Sequence, residues 1–313
     1  MVEKVIIIGS GCAGLPAAIY TAREGFNPLL IAGSLPGGQL SLTTEVENYP
    51  GYEDGVMGPD LINKMRKQAE RFGTRFLNED VTSVDLKSKP FKVTAAGKTY
   101  ETESLIIATG ANAMLLGMES EQKFMGRGVS TCATCDATFY KNKNVIVVGG
   151  GDTAMEDSTF LTRFASSVTI IHRRDAFKAS QIMQERALSN PKIKVMWNTV
   201  VEDILGDKKV SAVKLKNVTT GEAKEMPIDG VFIAIGYTPN TKIFKGQLPL
   251  DEKGYLVVKE DVLTEIPGVF VAGDVADHFY RQAVVAAGAG VKAALQAREY
   301  LSKLEYERDK AKK

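Results

Sequence analysis

Short apolar runs that lead into glycine-rich turns recur along the chain. The apolar residues 5–8 precede Gly-Ser-Gly-Cys-Ala-Gly at 9–14, and an alanine-rich helical pattern follows through Ala22. The same order recurs where residues 145–148 lead into Gly-Gly-Gly-Asp-Thr-Ala, followed by a helical stretch to Phe164 and an apolar run at 168–171. A strand, a glycine turn and a helix in this order indicate a dinucleotide-binding unit, and two copies are much stronger evidence than one.

Three further apolar runs end in small residues and glycine, at 105–110, 231–236 and 269–274. The first two follow the two dinucleotide units at similar places, and the last is similar to the flavin-binding signature of flavoproteins with two dinucleotide domains. We therefore predict an α/β fold of two Rossmann-like domains. A discontinuous FAD-binding domain at 1–114 and 244–313 is expected to be interrupted by an NADPH-binding domain at 115–243.

The size and charge of the chain agree with two domains and a small or protein partner. With 313 residues, the chain is longer than the about 250 residues at which single cores stop growing. Its 39 basic and 38 acidic residues give no electrostatic reason to expect nucleic acid or an anionic membrane. No apolar run approaches the about 18 residues of a membrane span, and no signal peptide is recognised at the start. We expect a cytoplasmic protein.

The first glycine turn suits the pyrophosphate of a dinucleotide. Gly9, Gly11 and Gly14 allow a tight turn, close approach of a phosphate and close packing of helix on strand. The helix that follows directs its N–H groups and the positive end of its dipole at the phosphates. The second strand, however, ends in Ile-Ala-Gly at 31–33, without the usual ribose-binding acid. The contact to the adenosine ribose is therefore left open.

The second glycine turn is expected to bind NADPH through five residues: Gly149, Gly151, Asp152, Thr153 and Ala154. The next strand ends in His-Arg-Arg-Asp-Ala-Phe-Lys at 172–178, again without the acid of an NAD site. The doubly charged 2′-phosphate of NADP suits the planar guanidinium groups of Arg173 and Arg174. The alternative is a solvated strand end, but its position about two dozen residues after Gly149 favours NADP binding.

Cys132 and Cys135 form a Cys-Ala-Thr-Cys pair between the two dinucleotide units. Two intervening residues allow a small disulfide ring and lower the pKa of the first thiol. A structural zinc site is the alternative, but it needs four ligands, and the other cysteine and histidines are scattered: Cys12, His172 and His278. We therefore predict a redox pair, with no metal, and treat Cys12 as a small buried packing residue.

Five motifs together resemble the low-molecular-weight, bacterial-type thioredoxin reductases along essentially the whole chain. They are Gly-Gly-Gln-Leu at 37–40, Thr-Glu-Val-Glu-Asn-Tyr-Pro-Gly at 44–51, the 132–136 block, the 172–178 block, and 273–283. The resemblance implies FAD contacts at Gly38, Gln39, Leu40, Asn48, Thr109, Gly273, Asp274, Arg281, Gln282 and Ala283. It implies NADPH contacts at His172, Lys178, Ile235 and Gly236, although the family usually has arginine where Lys178 stands.

The resemblance also implies a reaction and its partners. Hydride passes from NADPH to FAD, the flavin reduces the disulfide, and the dithiol reduces thioredoxin or a thioredoxin-like protein. Cys135 would face the flavin, Cys132 would attack the partner, and Asp136 would supply the proton, with a helix N-cap as the alternative role of Asp136. A homodimer is implied as well. Because one domain carries both NADPH and the redox pair, hinges near 112–118 and 240–246 are expected to let each reach the flavin.

Two other functions remain open at this point. A related flavoprotein could reduce an iron-sulfur or flavin protein instead, but such an enzyme needs no cysteine pair. A non-catalytic NADPH sensor could use both nucleotides only to lock a conformation. Bleaching of the flavin by NADPH together with the appearance of two thiols would separate a reductase from a sensor.

Overall fold

The computed structural model describes residues 2–43 and 45–312; Met1, Thr44 of the 44–51 motif, and Lys313 lie outside the described residues. The strands are, in chain order, β1 (Val2–Ile8), β2 (Leu29–Ile31), β3 (Glu45–Val46), β4 (Val56–Met57), β5 (Arg75–Leu77), β6 (Val81–Asp85), β7 (Phe91–Ala95), β8 (Lys98–Ile107), β9 (Ala111–Ala113), β10 (Val129–Ser130), β11 (Asn144–Gly149), β12 (Ser167–Ile171), β13 (Ile193–Met196), β14 (Thr199–Gly206), β15 (Val210–Asn217), β16 (Ala223–Pro227), β17 (Gly230–Ala234), β18 (Tyr237–Pro239) and β19 (Val269–Val271).

The α-helices are α1 (Gly14–Arg23), α2 (Gly58–Arg71), α3 (Glu119–Phe124), α4 (Ala133–Asp136), α5 (Asp152–Leu161), α6 (Gln181–Leu188) and α7 (Ala283–Ala311). Short 3₁₀ turns lie at Gly38–Leu42, Ala137–Tyr140 and Lys242–Phe244. Among the described residues no helix is both long and apolar enough to cross a membrane.

The chain divides into two compact units. The first comprises residues 1–112 and 238–313, and the second comprises residues 113–237. β9 and β18, which contain the two boundaries, pair with each other. The sequence pattern placed the second boundary after 243, whereas in the structure it lies between 237 and 238. Phe244 is fully buried in the core of the first unit, and Thr241 donates a hydrogen bond to the Gly254 carbonyl at 2.8 Å. Residues 238–243 therefore belong to the first unit.

The first unit is built on a seven-stranded sheet in the order β5-β2-β1-β8-β7-β6, with β19 also paired to β8. β1 is parallel to both β2 and β8, while β7 is antiparallel to β8 and to β6. Val5 and Ile7 face a core shared with α1, α2 and α7, whereas Ile6 and Ile8 face the core below β6 and β7. Burial on both faces explains why this strand is a continuous apolar run. The first glycine turn thus leaves β1 between two parallel neighbours.

The second unit repeats this arrangement in a smaller form. Its parallel sheet has the order β10-β17-β11-β12-β13. One face packs against α4, α5 and α6, and the other against the antiparallel sheet β14-β15-β16. The second glycine turn follows β11, which is parallel to β12 and β17. The predicted α/β fold with two Rossmann-like domains is confirmed.

Candidate active site

The glycines of the first turn differ in what they contribute. A Cβ on Gly9, whose φ is +105°, would lie 2.2 Å from the carbonyl oxygen of Ala108, and one on Gly14 would lie 1.9 Å from that of Gly9. These two residues must be glycine for β1, β8 and α1 to pack together. A Cβ on Gly11 would meet only Gly37 O, at 3.9 Å. The space beside Gly11 is therefore left open by the protein itself, as close approach of a pyrophosphate requires.

The 3₁₀ turn at Gly38–Leu42 lies beside this space. Gly38, with φ +62°, would place a Cβ only 3.6 Å from the Gly11 Cα. The carbonyl of Leu40 lies so close to the start of α2 that a Cβ on Gly58 would be 2.2 Å from it. The hydroxyl of Ser10 donates to the Ala32 carbonyl at 3.1 Å and accepts from the Gly37 N–H at 2.8 Å. The turn is thus anchored against the end of β1.

Polar side chains predicted to contact the flavin are linked by hydrogen bonds. Asn48 Nδ2 donates to Gln282 Oε1 at 3.1 Å, although 234 residues separate them. Gln39 Nε2 donates to Asn112 Oδ1 at 3.0 Å.

Thr109 belongs to the same group. Its Oγ1 donates to the Asn240 carbonyl, and Asn240 Nδ2 donates back to the Thr109 carbonyl, each at 2.9 Å. Asn112, in β9, and Asn240, just after β18, belong to this hydrogen-bonded group but were not predicted from the sequence, where each is an isolated polar residue.

Asp274 follows β19 and Gly273, whose φ of +79° turns the chain there. Burial raises the pKa of the Asp274 carboxyl to about 6 from its ordinary value of 3.8; the charge of Asp277 adds to this effect and that of Arg281 opposes it. Among the described residues, no group is seen to donate a hydrogen bond to this carboxylate. A partly buried carboxylate that accepts no hydrogen bond from the described residues fits the hydroxyl groups of a ribityl chain.

α7 begins at Ala283, after Arg281 in a left-handed conformation (φ +47°) and Gln282 as its N-cap. The helix packs so closely on the first glycine turn that a Cβ on Gly290 would lie 2.0 Å from the Ala13 carbonyl oxygen. The close packing at Gly290 was likewise not predicted from the sequence. The start of α7, the Asp274 turn and the first glycine turn are therefore held together in one unit, and their donors and open space fit a bound FAD.

The second glycine turn is closed on one side by the protein and open on the other. A Cβ on Gly149 would lie 2.4 Å from the Ala234 carbonyl oxygen and 2.8 Å from the Cβ of Ala154, which is fully buried in α5. A Cβ on Gly151 meets nothing within 4 Å. Thr153 lies in the first turn of α5, whose N-terminal N–H groups adjoin this open space.

The basic segment after β12, residues 172–178, contains one buried histidine and three exposed cationic side chains. His172 is 8% exposed; its Nε2 lies 3.0 Å from the Ala176 carbonyl, and a Cβ on Gly150 would lie 2.2 Å from its ring. Arg173, Arg174 and Lys178 are exposed, and none of them has a side-chain hydrogen bond or ion pair among the residues that the structure describes. His172 therefore shapes the segment, while three cations remain available to a phosphate.

The carboxylate of Asp152 accepts hydrogen bonds from within the protein. Its Oδ1 accepts hydrogen bonds from the backbone N–H and the hydroxyl of Ser180, at 2.7 and 3.0 Å. The N–H groups of Lys178 and Ala179 both donate to the Gly150 carbonyl, at 2.8 and 3.1 Å. These contacts tie Lys178 to the second glycine turn, and they tie Ser180 to the start of α5.

Two predicted NADPH residues follow β17. Ile235 packs against the core beneath the antiparallel sheet. Gly236 has a φ of +117°, and its carbonyl accepts a hydrogen bond from the Met114 N–H at 2.9 Å. The left-handed conformation explains why glycine stands at this position.

Cys132 and Cys135 form a disulfide with an S–S distance of 2.05 Å. Cys132 is the N-cap of the short helix α4, and its N–H donates to Ser130 Oγ at 3.0 Å. Ala133 and Ala137 are buried in the core of the second unit and hold the disulfide-bonded segment against that core. Both cysteines are partly exposed, so the disulfide is accessible.

Asp136 is the last residue of α4 and directly precedes the 3₁₀ turn at Ala137–Tyr140. The carboxylate makes no capping hydrogen bond to that turn, although its Oδ1 is buried. The nearby Tyr140 has a pKa above its ordinary value because the ring is buried and because Asp136 and Asp229 are negatively charged. Asp136 thus occupies the N-cap position of this turn without a side-chain capping hydrogen bond.

Cys12 is the free cysteine among the described residues. Burial, with a smaller contribution from the charge of Asp274, raises the pKa of its thiol to about 12. A thiol with this pKa carries almost no thiolate at neutral pH and is a poor nucleophile. Across the described residues, no group of three or more His, Cys, Asp or Glu side chains is placed to hold a metal ion.

Comparisons with known proteins agree with this geometry. The family model described as pyridine nucleotide-disulphide oxidoreductase matches residues 3–290. The chain is 52% identical to a thioredoxin reductase of Streptomyces coelicolor over 99% of this chain and 97% of that protein, and 53% identical to one of Rickettsia conorii over 96% and 98%. A crystal structure of thioredoxin reductase from Streptococcus pyogenes superposes with a TM-score of 0.92 at 39% identity and covers 96% of this chain and 99% of that one.

The matches extend over nearly the full chain at identities far above the level at which only the fold is shared. The redox disulfide and the two glycine turns are the features that such an oxidoreductase needs. The predicted cofactors, FAD and NADPH, and the predicted enzyme class are confirmed. This chain belongs to the thioredoxin reductase family of the pyridine nucleotide-disulphide oxidoreductases, which bind FAD and use NADPH.

Proposed function

We propose that the Cys132–Cys135 disulfide carries electrons from NADPH to the disulfide of thioredoxin or of a thioredoxin-like protein. The observation that carries the proposal is an accessible disulfide on α4, in the same unit as a glycine turn bordered by three unpaired cations. FAD, when bound, accepts hydride from NADPH and supplies two electrons to the disulfide. Overall, NADPH and one proton convert the partner's disulfide into two thiols.

The two nucleotides are assigned to separate units. FAD would occupy the first glycine turn, with Asp274 on its ribityl chain and the start of α7 at its ring. NADPH would occupy the second turn, with its 2′-phosphate between Arg173 and Arg174. Lys178 would add a point charge rather than a planar fork. His172 and Asp152 would position this basic segment through the contacts described above.

The two sulfurs would have separate duties. Cys132 is the N-cap of α4, where it attacks the partner's disulfide and forms the mixed disulfide; Cys135 then resolves it and releases the reduced partner. Asp136, one residue after Cys135, would supply the proton that the departing thiolate needs.

We also propose a cytoplasmic homodimer. A disulfide that must be reduced again in every cycle suits a reducing compartment. The hinge positions remain a prediction; the unit boundaries lie in β9 and β18, which begin or end within a few residues of 112–118 and 240–246. Size-exclusion chromatography with light scattering tests the dimer directly.

Anaerobic titration of the purified protein with NADPH tests the function. We expect the flavin absorbance to bleach and two new thiols to appear per chain, followed by reoxidation when oxidised thioredoxin is added. Bleaching without new thiols would point to a reductase of an iron-sulfur or flavin protein. A spectrum that does not change with NADPH would instead indicate a non-catalytic sensor.

A further inference from the structure

The end of β2 lacks the acid that usually binds the adenosine ribose of a dinucleotide, as the sequence analysis noted. The structure brings a carboxylate to this place from another part of the chain. β5 runs parallel to β2, with Ile31 opposite Leu77, and Asp80 follows three residues after the end of β5. The two strands therefore end side by side.

Backbone hydrogen bonds continue beyond the ends of these strands. The Ala32 N–H donates to the Leu77 carbonyl at 2.7 Å, and the Gly33 N–H donates to the Glu79 carbonyl at 3.2 Å. Asp80 Oδ1 then accepts a hydrogen bond from the Ser34 N–H at 2.8 Å. The carboxylate of Asp80 is thus fixed at the first residues after β2.

Space and charge at this point suit a ligand. Gly33 has a φ of +80°, and a Cβ there would lie 3.3 Å from Asp80 Oδ1, so glycine keeps the carboxylate uncrowded. Asp80 is exposed, and its Oδ2 accepts no hydrogen bond from any residue within 2–43 and 45–312. One oxygen holds the turn and the other is free to accept from a hydroxyl group.

We propose that Asp80 accepts hydrogen bonds from the adenosine ribose hydroxyls of FAD and replaces the acid that β2 lacks. The inference rests on the proposed placement of FAD in the first unit. A carboxylate that accepts from a hydroxyl forms a charge-assisted hydrogen bond, which is stronger than a neutral one. Asp80 would therefore favour FAD over an analogue whose adenosine lacks both ribose hydroxyls.

Flavin exchange on the full-length holoenzyme tests this. The protein is incubated with an excess of FAD and of the dideoxyadenosine analogue in equal amounts until the bound fraction is constant. The protein is then separated from free flavin, and the two bound flavins are quantified by chromatography. We expect the wild-type protein to prefer FAD by about tenfold or more. Asp80→Ala should bring this preference close to one, and Asp80→Asn, which keeps an acceptor for Ser34, should give an intermediate value.

Glu79→Ala is the matched control, because Glu79 contributes its backbone carbonyl to the pairing and its side chain makes no hydrogen bond among the described residues. It should retain the wild-type preference. If Asp80 only organised the turn, both flavins would be weakened equally and the preference would survive in Asp80→Ala; that result, or a wild-type protein without preference, overturns the inference. A wild-type protein that binds neither flavin would instead overturn the proposed function.

Discussion

Replacing Asp274 by asparagine should stabilise the FAD-free protein and weaken FAD binding. The carboxyl has a pKa of about 6, mainly because of burial, compared with 3.8 ordinarily. The difference is about two pKa units, and each unit corresponds to about 1.4 kcal/mol, so the ionised carboxylate costs the FAD-free protein about 3 kcal/mol. Asparagine has nearly the same shape and carries no charge.

The size of the stabilising effect depends on pH. Above pH 6 the carboxylate is ionised in both the folded and the unfolded chain, and its full cost is present. As the pH falls through 6 towards 4, the folded protein takes up the proton before the unfolded chain does, and the cost disappears. Asp274→Asn should therefore be more stable than wild type by about 3 kcal/mol at pH 7.5 and by almost nothing near pH 4.

Denaturant unfolding of the FAD-free proteins, followed at pH 7.5 and at pH 4, measures this difference. Glu252→Gln removes one negative charge from an exposed position and serves as the control. FAD titration should show the opposite order, because the variant loses charge-assisted hydrogen bonds worth about 1.5 to 3 kcal/mol. A variant that is less stable than wild type at pH 7.5, or a difference that does not change with pH, would refute the argument.

Three further predictions concern the second unit. Changing Arg173 and Arg174 together to alanine should reduce kcat/KM with NADPH by about a hundredfold or more, since each charge-assisted pair contributes about 1.5 to 3 kcal/mol. The value of kcat/KM with NADH should stay nearly unchanged, and equal losses with both nucleotides would contradict the 2′-phosphate assignment. Cys132→Ser should abolish thioredoxin reduction yet preserve NADPH-driven reduction of an artificial acceptor, measured in the same preparation. Gly150→Ala should lower the unfolding free energy by about 1 to 3 kcal/mol because its Cβ meets a buried imidazole, whereas Gly151→Ala should be nearly neutral in the same denaturation assay.

The local chemistry of the protein could be read from its sequence because each signal lies within a short segment. An apolar strand, a glycine turn and a helix form one continuous unit, and the two copies identified two dinucleotide domains. The spacing of Cys132 and Cys135 needs no long-range information either. The basic residues at 172–178 could likewise be placed at the end of a strand, because they follow an apolar run whose partner turn is recognisable.

The tertiary structure decided which distant residues meet. Asp80 reaches the end of β2 only because β5 pairs with β2, and Gly290 is required only because α7 crosses the first glycine turn. Asn48 and Gln282 lie 234 residues apart and still share a hydrogen bond. The raised pKa of Asp274 likewise follows from burial by the folded chain. A linear pattern carries the periodicity of each element but not the register and packing between elements, since those arise from sterics and pairing across the folded unit.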